Sequence, residues 1–193
     1  MDEKLKKQLD FIYEVDKVKA IFRHTKLFDN SRYENDAEHS WHIAMMAIIL
    51  SEYANEEIEL AKVLKMVLIH DLVEIDAGDY IVYTDKVEEK AEKEMEAAKR
   101  IFAILPEEQG KELLELWQEF EKRETPEARF AAAIDRLEPL MQNYYTEGHA
   151  WKKHNICSKD ILKANKHISE GSEKLWEYAE GMIRECVDKG LIK

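Results

Sequence analysis

Apolar residues recur at the spacing of an α-helix along nearly the whole chain, and few residues interrupt them. The 193 residues include only six glycines and three prolines, which leaves few turn signals and favours long helices over many short strands. The segment from 57 to 73 is apolar almost all round, which is typical of a central, buried helix. We therefore predict an all-α bundle, with a second helix that has Asp36 as its N-cap.

Further apolar stripes predict the remaining helices. One stripe runs from residue 5 to residue 22, and a heavily charged helix is expected from 87 to 102. Another helix opens at Pro126, behind Thr125 as its cap, because proline is tolerated in the first turn. The last segment should be helical with a break near Gly171.

Length and composition predict one domain. We expect a single domain over residues 1–193, with its core at about 5–150 and C-terminal helices within 159–188 packed on that core. Two cysteines are too few for a disulfide framework. The sequence shows no signal peptide and no apolar run long enough to span a bilayer, so we predict a cytoplasmic protein without a membrane partner.

The net charge narrows the range of partners. At −12, the chain is not expected to bind a nucleic-acid polymer, because such binding needs a broad basic face. A small phosphorylated substrate remains possible, since it needs only a local cluster of positive charge.

Polar residues at three positions on apolar helices are aimed at the interior. His70 and Asp71 continue the apolar lines of the buried helix, His39 heads another stripe, and Asp135 lies one turn before Pro139. A buried carboxylate without a partner is costly or gives up its charge. A hydrogen-bonded pair would explain His70 and Asp71 alone, and a satisfied core histidine would explain His39 alone. One shared metal ion explains all of them together.

Three extended blocks carry a resemblance to a known family. “ENDAEHSWH” at 34–42, “HDLVEIDAGD” at 70–79 and “DRLEP” at 135–139 resemble, in order and spacing, the H…HD…D signature of the HD-domain metal-dependent phosphohydrolases, and within them the 5′-deoxynucleotidase branch. The resemblance covers about residues 5–150. It implies an HD-domain helical bundle, a homodimer and one divalent metal ion, which would be Mn, Co, Fe, Ni or Zn, with Mg disfavoured.

The resemblance also implies a role for each matching position. The metal ligands would be His39, His70, Asp71 and Asp135. Glu74, one turn after His70, would position or deprotonate the attacking water, although a solvated glutamate is the ordinary alternative. Asp79 would lie beside the substrate as a second candidate for handling the proton. The residues that follow it line the nucleotide pocket in the family, which makes pocket candidates of Tyr80, Ile81 and Val82.

A local excess of positive charge precedes the first histidine. Residues 17–32 carry five basic residues against one aspartate. The family has an arginine here that orients the phosphate; Arg23 is the best match, with Lys26 as the second candidate. His24 stands where the family often has another aromatic residue, and this departure bears on substrate preference. A solvated basic face is the alternative.

These observations predict a metal-dependent phosphomonoesterase that hydrolyses small nucleotides, above all 5′-deoxyribonucleoside monophosphates, to nucleoside and phosphate. The alternatives are a hydrolase of another nucleotide, such as a dNTP or a guanosine tetraphosphate alarmone, and a non-catalytic HD module that binds a nucleotide or a partner protein. All four ligand positions and Glu74 are present, which favours an enzyme. His42, one turn after His39, is expected to support the site without binding the metal.

Overall fold

The computed structural model describes residues 2–79 and 87–193, in which α-helices and one short β-hairpin follow one another along the chain. The helices are α1 (Glu3–Val15), α2 (Asp36–Leu50), α3 (Leu60–Ile69), α4 (Glu74–Ala77), α5 (Val87–Phe102), α6 (Glu107–Lys122), α7 (Pro126–Tyr145), α8 (His149–Lys153), α9 (Ser158–Asn165), α10 (Ile168–Gly171) and α11 (Glu173–Asp188). Strands β1 (Phe22–Lys26) and β2 (Tyr33–Asn35) pair antiparallel between α1 and α2. The all-α prediction is confirmed.

Helix α7 lies at the centre of the core. It packs against α2, α3, α6, α10 and α11, and its buried side chains include Phe130, Ile134 and Leu137. Three consecutive alanines, 131–133, are also buried and leave room for the neighbouring helices to approach. The polar residues Glu138, Gln142 and Asn143 of α7 are buried as well. Although α7 is the longest described helix, neither it nor any other in the described part of the chain is long and apolar enough to cross a membrane.

The helix caps were predicted in part. The Thr125 hydroxyl accepts a hydrogen bond from the N–H of Ala128, so the predicted cap of α7 is confirmed. The cap of α2 is Asn35, one residue before the predicted Asp36, and it forms a capping box with Glu38. Asp36 is instead the first helical residue, and it is fully buried.

Two of the predicted helices are shorter than their apolar stripes. Helix α1 ends at Val15, and Phe22, the last residue of that stripe, belongs to β1 and is exposed. Helix α3 ends at Ile69, and His70–Val73 form a 3₁₀ turn. There the indole N–H of Trp117 donates a hydrogen bond of 3.1 Å to the His70 carbonyl. This carbonyl thus accepts from a side chain of another helix, where a continuing α-helix would supply a backbone N–H.

The predicted break at Gly171 is confirmed, because α10 ends there and α11 begins at Glu173. A Cβ atom at Gly171 would lie 2.3 Å from the backbone oxygen of Arg129, so only glycine allows α10 to lie this close to α7. Ser172 then caps α11 by accepting from the N–H of Leu175. Buried residues of α11 join the same hydrophobic cluster as those of α7.

Candidate metal centre and cleft

Four side chains from three parts of the chain meet beside the middle of α7. His39 Nε2 lies 3.0 Å from Asp135 Oδ1 and 3.8 Å from Asp71 Oδ2. His70 Nε2 lies 3.1 Å from Asp71 Oδ1 and 3.4 Å from Asp135 Oδ1. Helix α2, the 3₁₀ turn after α3 and helix α7 thus bring together the four residues that the sequence proposes as ligands. His39, His70 and Asp71 each offer a ligand atom within 4.8 Å of the other two.

The tautomers of the two imidazoles fit a metal ion at this point. His70 Nδ1 lies 2.9 Å from the carbonyl oxygen of Val67, which can only accept, so Nδ1 carries the hydrogen. His39 Nδ1 lies 3.3 Å from Glu138 Oε2, and the same argument applies. With Nδ1 carrying a hydrogen, each Nε2 faces carboxylate oxygens and can hold either a second proton or a metal ion. A divalent cation between these atoms would turn mutual repulsion into coordination.

The electrostatics of the site also favour a positive charge between these groups. Burial alone would lower the pKa of His39, but Asp135 and Glu138 raise it to about 9. Burial likewise opposes protonation of His70, yet Asp71 and Asp135 raise the pKa of its imidazole to about 10. The carboxylates thus demand a cation, which can be a proton on each ring or a metal ion that displaces both protons.

A buried glutamate, not singled out from the sequence, supports the metal-facing histidine. Glu138 is fully buried; its Oε2 accepts from His39, and its Oε1 lies 3.2 Å from Nδ1 of His42. The structure therefore places His42 against the support of a ligand and outside the ligand set. The signal was available: Glu138 follows Asp135 by three residues on a helix, so both share one face.

Arg23 reaches the same site from strand β1. Its Nη1 donates a hydrogen bond of 2.6 Å to Asp71 Oδ2 and lies 3.5 Å from Asp36 Oδ1. Burial and the negative charge of Asp71 raise the pKa of Asp36 to about 7, so this carboxyl titrates near neutrality. Neither oxygen of Asp36 has a hydrogen-bond partner in the described part of the chain. Arg23 is thus held among carboxylates at the edge of the proposed metal site.

Glu74 and Asp79 complete the acidic side of the site. Glu74 opens α4 and is 6% exposed; burial, Asp71 and Asp36 raise its pKa well above the usual range. One ligand atom each of Asp36, Asp71 and Glu74 lie within 4.8 Å of one another. Asp79 lines the neighbouring cleft, and burial raises its pKa too. The other three pocket candidates, Tyr80, Ile81 and Val82, lie outside the described residues.

A cleft that is partly open to solvent adjoins the site, and such concave surfaces are where small molecules ordinarily bind. Its charged side includes Arg23, Asp71, Glu74, Asp79 and Asp135. Its other side is formed by residues from the second half of α7 and from 150 to 165, among them Leu140, Asn143, Trp151, Ile156 and Asn165. The cleft therefore adjoins the proposed metal site with a mixed lining of apolar and amide side chains.

Lys26 does not line the cleft. Its Nζ lies 5.8 Å from the ring centroid of Tyr33. Lys26 is the last residue of β1 and is paired with Tyr33 of β2, whereas Arg23 lies three residues earlier, at the cleft. The structure therefore offers no contact of Lys26 with the site.

Several cleft residues were not predicted from the sequence. They are His24, Lys90, Arg136, Trp151 and His154. The rings of His24 and His154 meet edge to face, with their centroids 5.6 Å apart. Two of them had a signal in the sequence, because Arg136 follows Asp135 directly in “DRLEP” and His24 follows Arg23. The others are brought to the cleft by tertiary packing alone.

The HD domain family matches residues 15–176, and the chain belongs to that family. Among curated proteins, the 5′-deoxynucleotidase HDDC2 of Homo sapiens is 33% identical over 137 residues, which are 69% of this chain and 65% of the human protein. The 5′-deoxynucleotidase HDDC2 of Dictyostelium discoideum is 36% identical over 121 residues, covering 59% and 63% respectively. This chain thus spans slightly less than two thirds of the length of these relatives.

Solved structures extend the likeness over nearly the whole chain. A protein from Magnetospirillum magnetotacticum MS-1, described as a “predicted metal-dependent phosphohydrolase”, is 48% identical; the match covers 98% of this chain and 95% of that one, with a TM-score of 0.94. A conserved hypothetical protein from Pyrococcus furiosus is 26% identical, covers 93% and 99%, and has a TM-score of 0.67. The HD-domain fold is thereby confirmed, and these likenesses support the prediction of a hydrolase.

Proposed function

We propose that this chain is a metal-dependent phosphohydrolase that releases phosphate from small nucleotides, with 5′-deoxyribonucleoside monophosphates as its substrates. One observation carries the proposal: the Nε2 atoms of His39 and His70 each lie within 3.8 Å of carboxylate oxygens of both Asp71 and Asp135, at the edge of a cleft. The curated relatives bear the name 5′-deoxynucleotidase, which supports this choice of substrate. A cytoplasmic location stays a prediction from the sequence.

The proposed cofactor is one divalent ion held by His39, His70, Asp71 and Asp135. Two nitrogen and two oxygen ligands suit Mn, Fe, Co, Ni or Zn, whereas Mg is bound mainly through oxygen atoms. When bound, such an ion lowers the pKa of coordinated water and polarises a phosphate oxygen.

The residues of the chain supply binding and proton transfer. Arg23 carries a guanidinium that can donate to two phosphate oxygens at once, and Asp71 and Asp36 hold it at the cleft edge. Glu74 is the proposed acceptor of the proton from the attacking water, with Asp79 as the second candidate. Burial and the neighbouring carboxylates raise the pKa of Glu74, so it would accept the proton only when a bound cation offsets their negative charge. The bond between phosphorus and the sugar 5′-oxygen breaks, and the leaving oxygen takes up the proton.

The proposal is tested by measuring phosphate release from ribo- and deoxynucleoside 5′-mono- and triphosphates. Metal-stripped protein is supplied with Mn, Fe, Co, Ni, Zn or Mg in turn. We expect release from deoxynucleoside monophosphates only, and only with metal present. Release confined to triphosphates would refute the substrate class, and tight metal binding without any release would favour the non-catalytic module.

A single variant tests the assignment of the metal site. Asp71→Ala removes a carboxylate that both histidines and Arg23 contact, and we expect a loss of at least about 100-fold in phosphate release. Circular dichroism should show unchanged helix content. Full activity of this variant would refute the assignment.

We also propose that the chain forms a homodimer through the exposed face of α2. Trp41, Met45, Ile48 and Ile49 lie on this face at helical spacing and are all exposed, with Ile49 at 65%. Clustered exposed apolar side chains mark association surfaces. In a symmetric dimer the same face of each subunit would be buried against the other. Sedimentation velocity should find a dimer for the wild type and a monomer for Ile49→Glu. As a matched control, Tyr13→Glu on exposed α1 should remain dimeric; a monomeric wild type would contradict the proposal.

A further inference from the structure

Three basic side chains gather around one tyrosine beside the cleft. Nζ of Lys153 donates a hydrogen bond of 3.1 Å to the hydroxyl oxygen of Tyr33, and Nε2 of His149 lies 3.4 Å from the same oxygen. Lys26 pairs with Tyr33 across the hairpin, and its Nζ lies 5.8 Å from the centre of the tyrosine ring. We call these four residues, contributed by β1, β2 and α8, the basic rim.

Two histidines connect the basic rim to the cleft. His154 directly follows Lys153, and His24 lies two residues before Lys26. Both histidines line the cleft, with their ring centroids 5.6 Å apart. Arg23, next to His24, reaches the proposed metal site. Because Arg23 and Lys26 are three residues apart, their Cα atoms are separated by no more than about 11 Å. The basic rim therefore lies within the length of a nucleotide from the proposed metal site.

The basic rim has no acidic partner in the described part of the chain. Lys26 and Lys153 form no ion pair there, and their contacts on this surface are with the ring and hydroxyl of Tyr33. Burial and the charges of Lys26 and Lys153 lower the pKa of the His149 imidazole, so these groups repel one another. Such a cluster is unexpected in a chain with a net charge of −12. A bound anion would relieve the repulsion.

We propose that the basic rim binds a phosphoryl group, namely the 3′-phosphate of a deoxynucleotide whose 5′-phosphate lies at the metal site, an inference that rests on the proposed nucleotidase function. An ammonium group has three donors, of which Lys153 uses one on Tyr33. Hydrogen bonds from charged donors to phosphate oxygens are short and strong. The second phosphate of a 5′-diphosphate shares an oxygen with the first and stays beside the metal. A 3′-phosphate is separated from it by the sugar and can reach the basic rim.

The test compares the hydrolysis of thymidine 3′,5′-bisphosphate with that of dTMP. Water replaces the 5′-oxygen on phosphorus in both, so the bisphosphate should yield thymidine 3′-phosphate and inorganic phosphate. We expect kcat/KM to be roughly 10-fold or more higher for the bisphosphate. The difference should lie in KM, because the basic rim contacts a group that does not react. Equal kcat/KM values, or release of the 3′-phosphate, would overturn the inference.

Three variants locate the source of this preference. Lys153→Met and Lys26→Met keep the apolar stem but remove the charge and its donors, so each should lose most of the preference for the bisphosphate. Lys152→Met removes the same charge from an exposed position on the same helix and is the matched control, which should retain the preference. A preference that survives in both Lys26→Met and Lys153→Met would overturn the assignment to the basic rim.

Calorimetric titration separates this inference from the proposed function, because it needs no hydrolysis. Metal-stripped wild type should bind the bisphosphate more tightly than dTMP, and Lys153→Met should bind both alike. This result would sustain the inference even if no nucleotide were hydrolysed, whereas equal affinities in the wild type would overturn it. Titration with inorganic phosphate tests a free ion as the occupant. Binding that depends on Lys153 and is as tight as that of the bisphosphate would overturn the link to the substrate.

Discussion

At the scale of single residues, metal affinity should depend on Glu138, the hydrogen-bond partner of His39, as well as on His39 itself. Glu138 accepts from His39 and contacts His42 through its other oxygen. Glu138→Gln keeps the shape but removes the negative charge that makes the imidazole a strong ligand, so we expect metal affinity to fall by about 10-fold to 100-fold. Competition with a chromogenic chelator measures this. His42→Gln leaves the contact to His39 in place and should change the affinity far less; equal losses would contradict this assignment.

The same residues show what single-residue reasoning can reach. His39, His70, Asp71 and Asp135 could be found because each is polar on an apolar helix, and such side chains need a compensating partner. Glu138 shares a helix face with Asp135, but that spacing alone does not distinguish it from a solvated surface glutamate. Its role depends on which helix packs against α7, which is decided by tertiary structure.

At the scale of elements, the close approach of α10 to α7 should depend on one glycine. A Cβ at Gly171 meets the Arg129 oxygen at 2.3 Å, whereas a Cβ at Gly181 in α11 meets nothing within 4 Å. We expect Gly171→Ala to lower the free energy of unfolding by about 1–3 kcal/mol. Gly181→Ala should raise it by about 0.5–1 kcal/mol, because alanine favours the helix. Urea denaturation monitored by circular dichroism measures both, and equal stability of the two variants would refute the packing argument.

Helices were predictable where the apolar stripe and the caps agree. Thr125 and Gly171 marked their boundaries correctly, since both signals are local. The stripe from 5 to 22 overran into the hairpin, because Phe22 fits a helical spacing although it is an exposed strand residue. The predicted helix 57–73 divided at His70, where the partner of its carbonyl is Trp117 from a distant helix. Periodicity alone contains no information on such a partner.

At the scale of the whole molecule, the metal-free protein should lose stability as the pH rises. The pKa of His39 is raised to about 9 and that of His70 to about 10, above the ordinary value of about 6.5 for an unfolded chain. Protons therefore bind the folded state more tightly than the unfolded one. The stability that they add to the folded state is complete below pH 6.5 and disappears as the pH approaches 10. Glu34 and Asp36, each raised to about 7, lose theirs mostly below pH 8. Between pH 8 and 9.5 the fall comes from the histidines together with Glu74, whose pKa is raised still further.

Metal should remove this dependence, because an ion bound to the two imidazoles replaces the protons that alkaline solution withdraws. Differential scanning calorimetry of the metal-stripped protein should show Tm falling between pH 8 and 9.5. Addition of Mn should raise Tm more at pH 9 than at pH 7, because protons compete less with the ion. Asp71→Ala lacks a carboxylate that raises the pKa of His70 and that belongs to the proposed metal site. Its Tm should therefore fall less with pH and rise less on addition of Mn. A metal shift of the same size at every pH would mean that the ion binds elsewhere in the molecule.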